Sequence, residues 1–155
     1  VNKLNLKKKF GIFHQNIYSY KFNILNNNES PWEGTRVCKK KHLKSIDWLR
    51  HKVVTKNLKY PFWRVDKEKS IEIIKDGGWH FSYLLTPEQI VNKFKSLAET
   101  SWDNEKYLDL EYIKKRIEEK KDLFERGHIY ESVKIDKSYP EYITKNIKKY
   151  SKWID

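Results

Sequence analysis

The segment Gly77–Tyr83 (Gly-Gly-Trp-His-Phe-Ser-Tyr) carries the residue types best suited to chemistry. Its two glycines permit backbone angles or close approaches that a side chain would prevent. The residues after them predict a short strand, with Trp79 and Tyr83 on one face and His80 on the other. An imidazole beside a glycine turn can meet a ligand or a metal ion, and it can equally be a hydrogen-bonded core histidine. The spacing alone leaves both interpretations open.

The elements that must position this segment are predicted to be strands before it. Residues 10–85 are rich in aromatic and β-branched residues, which favour strands. We expect strands within 10–24, 34–39, 53–54, 62–65 and 71–74, and a short helix at 42–51.

Residues 86–155 predict helices. Thr86 fits an N-cap, Pro87 the first helical position, and Gln89 completes a capping box. Three further features extend the helical pattern: the apolar stripe Ile90, Phe94 and Leu97; the stripe Leu110, Ile113, Ile117 and Phe124, ending at Gly127; and a capping box at Ser138 and Glu141. The whole chain, 1–155, is therefore expected to be a single α/β domain, strand-rich at 10–85 and helical at 86–155.

Composition limits the class of protein. The chain has 155 residues, 38% of them apolar and 15% aromatic, which suits one folded domain and is not typical of disorder. No apolar run approaches the ~20 residues of a membrane span. Cys38 is the only cysteine, so an internal disulfide or a cysteine metal cluster is excluded, and we expect it to pack as a small apolar residue.

The formal net charge of +12 raises the question of an anionic partner. Lysine runs at 7–9 and 39–41 would suit nucleic acid or a diphosphate. Along the helical region, however, lysine alternates with glutamate, which is typical of a solvated surface with local ion pairs. We therefore expect general surface charge and no nucleic-acid partner.

A resemblance to a known family narrows these interpretations. The segment 77–84, followed by Thr-Pro-Glu-Gln-Ile at 86–90, resembles the C-terminal signature of glycosyltransferase family 17, the β-1,4-mannosyl-glycoprotein 4-β-N-acetylglucosaminyltransferases. Weaker similarities keep the family's order along the chain: Trp-Glu-Gly-Thr at 32–35, Asp-Leu-Glu-Tyr-Ile at 109–113 with Arg-Ile at 116–117, and Tyr-Pro-Glu-Tyr-Ile at 139–143 with Asn146.

The resemblance implies a fold and an activity. The fold would be the C-terminal part of a GT-A-like mixed-sheet domain followed by C-terminal helices. The activity would be inverting transfer of N-acetylglucosamine from UDP-GlcNAc to a glycan acceptor, β-1,4 to mannose. A divalent cation, Mn²⁺ or Mg²⁺, would neutralise the leaving diphosphate, and a carboxylate would deprotonate the attacking hydroxyl.

Candidate site residues follow from the residue types and from the resemblance. Side chains that could bind sugar or diphosphate are Trp32, Trp79, Tyr83 and Arg36; possible catalytic bases are Glu33 and Asp76; and His80 is the candidate metal ligand. In enzymes of the GT-A fold a histidine near the end of the sheet often joins an Asp-x-Asp pair on the ion.

The family's Asp-x-Asp motif does not precede the matched region, because the first acidic residue is Glu29. The chain also starts at Val1 and contains no methionine. We therefore expect a C-terminal fragment whose main metal ligands lie in a missing N-terminal half, and which is inactive alone.

Two other classes of function stay open: a basic nucleic-acid-binding module and a non-catalytic carbohydrate-binding domain. Abundant lysine and asparagine and the lack of disulfides indicate a microbial or viral protein, cytoplasmic or membrane-associated. A eukaryotic homologue would belong to the Golgi membrane.

Overall fold

The computed structural model describes residues 4–96 and 105–155, which form mixed α/β structure in two compact units. The first unit comprises Val1–Asn16 and Ser30–Gly78, and the second comprises Ile17–Glu29 and Trp79–Asp155. The strands are β1 (Phe10–Phe13), β2 (Asn16–Ser19), β3 (Ile24–Leu25), β4 (Arg36–Cys38), β5 (Ile71–Ile74), β6 (Trp79–Ser82) and β7 (Glu131–Ser132). The α-helices are α1 (Ile46–Lys52), α2 (Pro87–Ser96), α3 (Leu110–Glu118) and α4 (Glu141–Lys145), and short 3-10 helices cover Lys40–His42, Thr55–Lys59, Glu105–Leu108 and Ile147–Trp153.

The first unit is built on a three-stranded sheet in the order β4-β1-β5. In the centre, β1 pairs antiparallel with β4 and parallel with β5, so that Phe10 lies between Cys38 and Ile71. Phe10 and Ile12 point to one face because side chains alternate along a strand. They form a buried cluster with Val53 and Ile71, and Cys38 packs against its edge as expected.

The helix of this unit begins later than the expected residue 42. Ser45 is its N-cap, and the Ser45 hydroxyl accepts a hydrogen bond from the Trp48 amide at 3.0 Å. Trp48 and Leu49 then pack against the buried cluster. The strands expected at 53–54 and 62–65 are wrong: residues 53–54 follow the end of α1 and lie in no strand, and segment 62–65 forms turns.

The second unit contains a sheet in the order β6-β2-β3-β7. The pairs β2–β3 and β3–β7 are antiparallel. Strands β2 and β6 are parallel. The Asn16 amide bonds to the Gly78 carbonyl and the Tyr20 amide to the Ser82 carbonyl, so residue numbers increase in the same direction along both strands.

The capping box predicted for α2 is confirmed. The Thr86 amide donates to Gln89 Oε1 at 2.9 Å, and the Gln89 amide donates to Thr86 Oγ1 at 3.4 Å. Ile90 and Phe94 are buried in the core of the second unit, while Leu97 lies outside the described residues.

Two expected helix boundaries are wrong. Helix α3 ends at Glu118 and not at Gly127, because Lys120 adopts a left-handed conformation (φ 54°). The Lys120 amide donates to Ile117 O and the Lys121 amide to Arg116 O, which is the Schellman arrangement of a helix end.

Ser138 does not cap α4. Its hydroxyl donates to Asp136 Oδ1 at 2.6 Å, and the helix begins after Pro140 with no side-chain cap bond. The proline already fixes a φ angle suited to the helix start, so the turn at Asp136 and the helix are separate features.

A buried carboxylate organises the turn after α3. Asp122 is 1% exposed and accepts hydrogen bonds from the Arg126 backbone amide and guanidinium at 2.7–3.0 Å and from the Tyr130 hydroxyl at 3.1 Å. Its backbone carbonyl accepts from Arg116, and Arg126 also pairs with Glu29. Burial alone would raise the pKa of Asp122, but the hydrogen bonds and charge of Arg126 outweigh it and lower the pKa to about 2.

No helix of the described residues is long and apolar enough to cross a bilayer.

We predict that Asp122→Asn lowers the free energy of unfolding by about 2–4 kcal/mol at pH 7, because it leaves Arg126 without its buried partner. The carboxylate has a lower pKa folded than unfolded, so its contribution is complete above pH 4 and is lost as the pH falls toward 2. The difference between the two proteins in urea unfolding should therefore shrink by about 2 kcal/mol over that range. Glu118→Gln, on the exposed face of α3, should change stability little. A pH-independent difference would contradict the ionic role.

Candidate functional site

The first unit contains a cleft of about 550 Å³ beside the entry to β4. Segment 32–36 and helix α1 form its walls, with the lining side chains Trp32, Glu33, Arg36, Leu49, Arg50 and His51. Three of the side chains singled out in the sequence are thereby brought together: Trp32, Glu33 and Arg36.

Trp32 is held against the backbone of this wall. A Cβ atom built on Gly34 would lie 1.8 Å from the indole ring, so the ring sits directly on the glycine. The Trp32 backbone pairs with Gln15 through bonds of 2.8 and 3.1 Å. The half-buried indole is therefore a fixed side wall of the cleft, and Gly34 is required for that contact.

Glu33 has one engaged oxygen and one that faces an imidazole. Its Oε2 accepts a hydrogen bond from the Thr55 amide at 3.2 Å. Its Oε1 lies 3.7 Å from Nε2 of His14, which is beyond hydrogen-bond distance. The carboxylate is partly exposed, with 32% of the side-chain surface accessible. This arrangement can accept a proton from a bound hydroxyl.

The Arg36 side chain is held by hydrogen bonds to two backbone carbonyls, and the residue lines the cleft. Its Nε donates to the Val53 carbonyl at 2.6 Å and its Nη1 to the Gly34 carbonyl at 3.4 Å. Burial lowers the pKa of Arg36; the charge of Glu33 opposes this and that of Arg50 adds to it. Two guanidinium groups lining one cleft with a single carboxylate favour an anionic or polyhydroxylated ligand.

Asp76 lies in the first unit at the glycine turn, not among the residues that line the cleft. At this turn the segment after β5 contains two residues more than the segment it pairs with. The His14 amide bonds to the Ile74 carbonyl, and the Asn16 amide, two residues later, bonds to the carbonyl of Gly78, four residues later. The extra length forms a bulge in which Asp76 has φ 49°. Asp76 is exposed to solvent in this bulge.

The expected role of the two glycines is confirmed. Gly78 has φ 124°, and a Cβ atom on Gly77 would lie 2.7 Å from Cβ of Phe13. The Gly77 amide donates to the His14 carbonyl at 2.7 Å. One glycine therefore supplies the backbone angle, and the other permits the close approach of two strands.

The remaining candidates, Trp79, His80 and Tyr83, belong to the second unit. The strand ends at Ser82, and Tyr83 has φ 52°, so the alternation expected to include Tyr83 stops before it. Trp79 is 36% exposed, so its ring does not belong to the core. The ring of Tyr83 packs instead against Phe94 and Phe124, where Lys93 Nζ lies 4.5 Å from its centroid.

His80 is half-buried on β6. Burial lowers the pKa of His80 below its ordinary value of 6.5; the carboxylate of Glu29 opposes this shift and the ammonium of Lys93 adds to it. The imidazole is therefore neutral at pH 7 and can act as a ligand. Over residues 4–96 and 105–155, however, no group of three or more His, Cys, Asp and Glu side chains is placed to hold a metal ion.

Arg50, His51 and His14 belong to the cleft surroundings but were not singled out in the sequence. A signal existed for His51: it lies four residues after Asp47, and its Nδ1 is 2.8 Å from Asp47 Oδ1. Nothing local marks His14, which reaches Glu33 only because β1 and segment 32–36 are neighbours in the fold.

Comparison of the chain with models of protein families, with curated proteins and with solved structures gave no match.

The electrostatic surroundings of His80 can be tested by titration. Because its folded pKa is lowered, the unfolded state binds the proton more readily, so this residue reduces stability as the pH falls from 6.5 through the folded value. Following the imidazole Hε1 resonance by NMR, we expect a midpoint below 6.5 that rises in Lys93→Gln and falls further in Glu29→Gln. Lys115→Gln, on exposed α3 surface, should leave it unchanged. A midpoint at or above 6.5 would show that burial is not dominant.

The bulge can be tested by adding one methyl group. Gly77→Ala should lower the free energy of unfolding by about 1–3 kcal/mol, because the new Cβ would meet Cβ of Phe13 and the Ile74 carbonyl. Asp76→Gly, at the neighbouring position with positive φ, should be within about 1 kcal/mol of neutral. Chemical denaturation measures both, and equal effects would refute the close-approach argument.

Proposed function

We propose that the chain is part of a glycosyltransferase and that the cleft of the first unit binds the sugar nucleotide or the acceptor glycan. The observation that carries the proposal is the grouping of Trp32, Glu33 and Arg36 in one cleft. Its support from the sequence is the resemblance to glycosyltransferase family 17, to which segment 32–35 contributes. Mixed sheets with accompanying helices are compatible with a GT-A-like fold.

The cleft offers the interactions that sugar transfer needs. An indole held rigidly on Gly34 can stack against the apolar face of a pyranose ring. The guanidinium groups of Arg36 and Arg50 can attract the diphosphate of UDP-GlcNAc. Glu33, with Oε2 held by the Thr55 amide, can take the proton of the attacking hydroxyl on Oε1. The transfer proposed is of N-acetylglucosamine, β-1,4 to mannose, with inversion.

The residues described do not complete a metal site, because His80 would supply a single ligand. We propose that the Asp-x-Asp pair implied by the resemblance lies in a further part of the protein. When bound, Mn²⁺ or Mg²⁺ would neutralise the leaving diphosphate. Asp76 stays a second candidate base, and Trp79 and Tyr83 stay candidates for acceptor contacts, on the strength of the resemblance alone.

Ligand binding tests the cleft directly. By calorimetry or NMR, UDP-GlcNAc or a β-mannoside should bind the chain, and Trp32→Ala should weaken binding by about tenfold, while Trp32→Phe retains most of it. Arg50→Gln should weaken the nucleotide sugar selectively, because only that ligand carries a diphosphate. Glu33→Gln should leave binding nearly unchanged, since its role is in proton transfer.

Arg64→Gln is the matched control, since Arg64 lies in the same unit but not in the wall of the cleft. Thermal melts of each variant separate loss of binding from loss of fold. Binding that is unaffected by both Trp32→Ala and Arg50→Gln would exclude this cleft. Sugar transfer by the isolated chain would contradict the proposal that essential metal ligands lie elsewhere.

A further inference from the structure

A turn in the first unit presents large apolar side chains to solvent. Phe62 is 85% exposed, Trp63 66% and Val65 93%. We call residues 60–67 the aromatic tip. Phe62 and Trp63 contact each other edge to face, with ring centroids 5.2 Å apart. Grouped exposure of this kind marks an interaction surface, whereas single exposed apolar residues do not.

The backbone of the aromatic tip is held in shape by its own polar groups. The Arg64 amide donates to the Pro61 carbonyl at 3.1 Å, which closes a turn with Phe62 and Trp63 at its outer corner. The Arg64 guanidinium forms a two-point contact with Asp66 at 2.7 and 2.8 Å. Beneath the turn, the Tyr60 ring lies 5.3 Å from both Arg64 and Lys67. The apolar side chains therefore stand on a preorganised base.

Positive charge surrounds the aromatic tip. Within 55–70 the cationic residues are Lys56, Lys59, Arg64, Lys67 and Lys69, against the two acids Asp66 and Glu68. Asp66 is already engaged by Arg64 and Lys67, and Glu68 accepts the Ser70 amide. Lys56 and Lys59 are exposed. The excess of positive charge is thus available to an external anion.

A second basic feature adjoins the aromatic tip. A polar cleft of about 580 Å³ is lined by Lys9, Lys44, Lys52 and Lys67 together with Trp48, and Val65, Asp66 and Glu68 form the rest of its wall. Lys44 Nζ lies 4.7 Å from the Trp48 ring. We call this the lysine cleft. Four ammonium groups against the two carboxylates of Asp66 and Glu68 leave this cavity with an excess of positive charge, which suits a phosphate-bearing group.

We propose that this surface docks onto an anionic phospholipid bilayer, with Phe62, Trp63 and Val65 entering the interface and the lysine cleft receiving a lipid headgroup. Tryptophan and phenylalanine favour the boundary between headgroups and acyl chains, and adjacent lysines add attraction to anionic lipid. The proposal is independent of the sugar-transfer function.

The chemistry of the aromatic tip favours a bilayer over nucleic acid. Bases stack on flat, accessible rings, whereas Phe62 and Trp63 meet edge to face and the most exposed member, Val65, has no ring. A bilayer interface accepts apolar volume of any shape. Charge complementarity also favours a bilayer. The lysines lie beside the apolar side chains of the tip, where they would meet the headgroup phosphates while the apolar side chains meet the acyl chains.

Vesicle binding tests the proposal with the full chain. The chain should sediment with phosphatidylcholine vesicles containing about 30% phosphatidylglycerol, and much less with phosphatidylcholine alone. Phe62→Ser/Trp63→Ser should weaken partitioning by about tenfold or more, and Lys56→Gln/Lys59→Gln should weaken it on anionic vesicles only. Ile129→Ser is the matched control, because Ile129 is 68% exposed in the second unit, and it should bind as the unaltered chain does.

Depth-dependent quenching identifies the inserted side chain. Brominated acyl chains should quench the fluorescence of bound protein, and Trp63→Phe should keep vesicle binding but lose that part of the quenching. Thermal melts should be unchanged in all these exposed-site variants. Absence of vesicle binding would overturn the proposal, as would equal binding by the double serine variant. If the double serine variant changed the oligomeric mass, the surface would bind a second copy of the chain. If it abolished oligonucleotide binding, the surface would bind nucleic acid. Either result would also overturn the bilayer proposal.

Discussion

The parallel pairing of β1 with β5 is the constraint on which the first unit depends. It joins Phe10 to Ile71 across most of the unit's sequence, and both residues are buried in its apolar cluster. On the other side of β1, the antiparallel partner β4 follows directly from segment 32–36, so the same strand places the wall that carries Trp32 and Glu33. The bulge at 75–78 exists because the pairing continues past Ile74 with two additional residues.

The second unit depends more on packed rings and on the ion pair of a buried carboxylate, Asp122, than on long strands. Its sheet includes strands of two residues, which cannot supply much pairing energy. Aromatic contacts among Tyr83, Phe94 and Phe124 join α2 to the turn after α3. Asp122 fixes that turn by accepting hydrogen bonds from Arg126. This short polar network therefore holds the Phe124 ring, which belongs to the same turn, in the core.

Much of the local structure was predictable because its signals are local. The strands at 71–74 and 79–82 and the capping box at Thr86 were confirmed, since alternation and cap spacing depend on neighbouring residues. The segment 62–65 was misassigned because Phe, Trp and Val favour strands only where a partner strand exists. The end of α3 was missed because a lysine occupies the left-handed position that usually selects glycine.

The candidate site was less predictable, because its members meet through the fold. The residues Trp32, Glu33 and Arg36 are close in sequence and were identified together, whereas Arg50 joins them only through the packing of α1. The partial exposure of the Trp79 ring was not predictable either, because it depends on what lies next to the first residue of β6. Sequence periodicity predicts which face of a strand or helix a residue lies on, but it does not predict which residues pack against that face.

The division of the chain has a consequence for vectorial synthesis. Residues 17–29 belong to the second unit, yet the partners of their strands, β6 and β7, are translated only after the whole of 30–78. At ~5–20 residues per second, Ile17, Phe22 and Ile24 wait several seconds or more for the residues that bury them. The nascent chain therefore exposes an apolar segment during the period in which the first unit is completed.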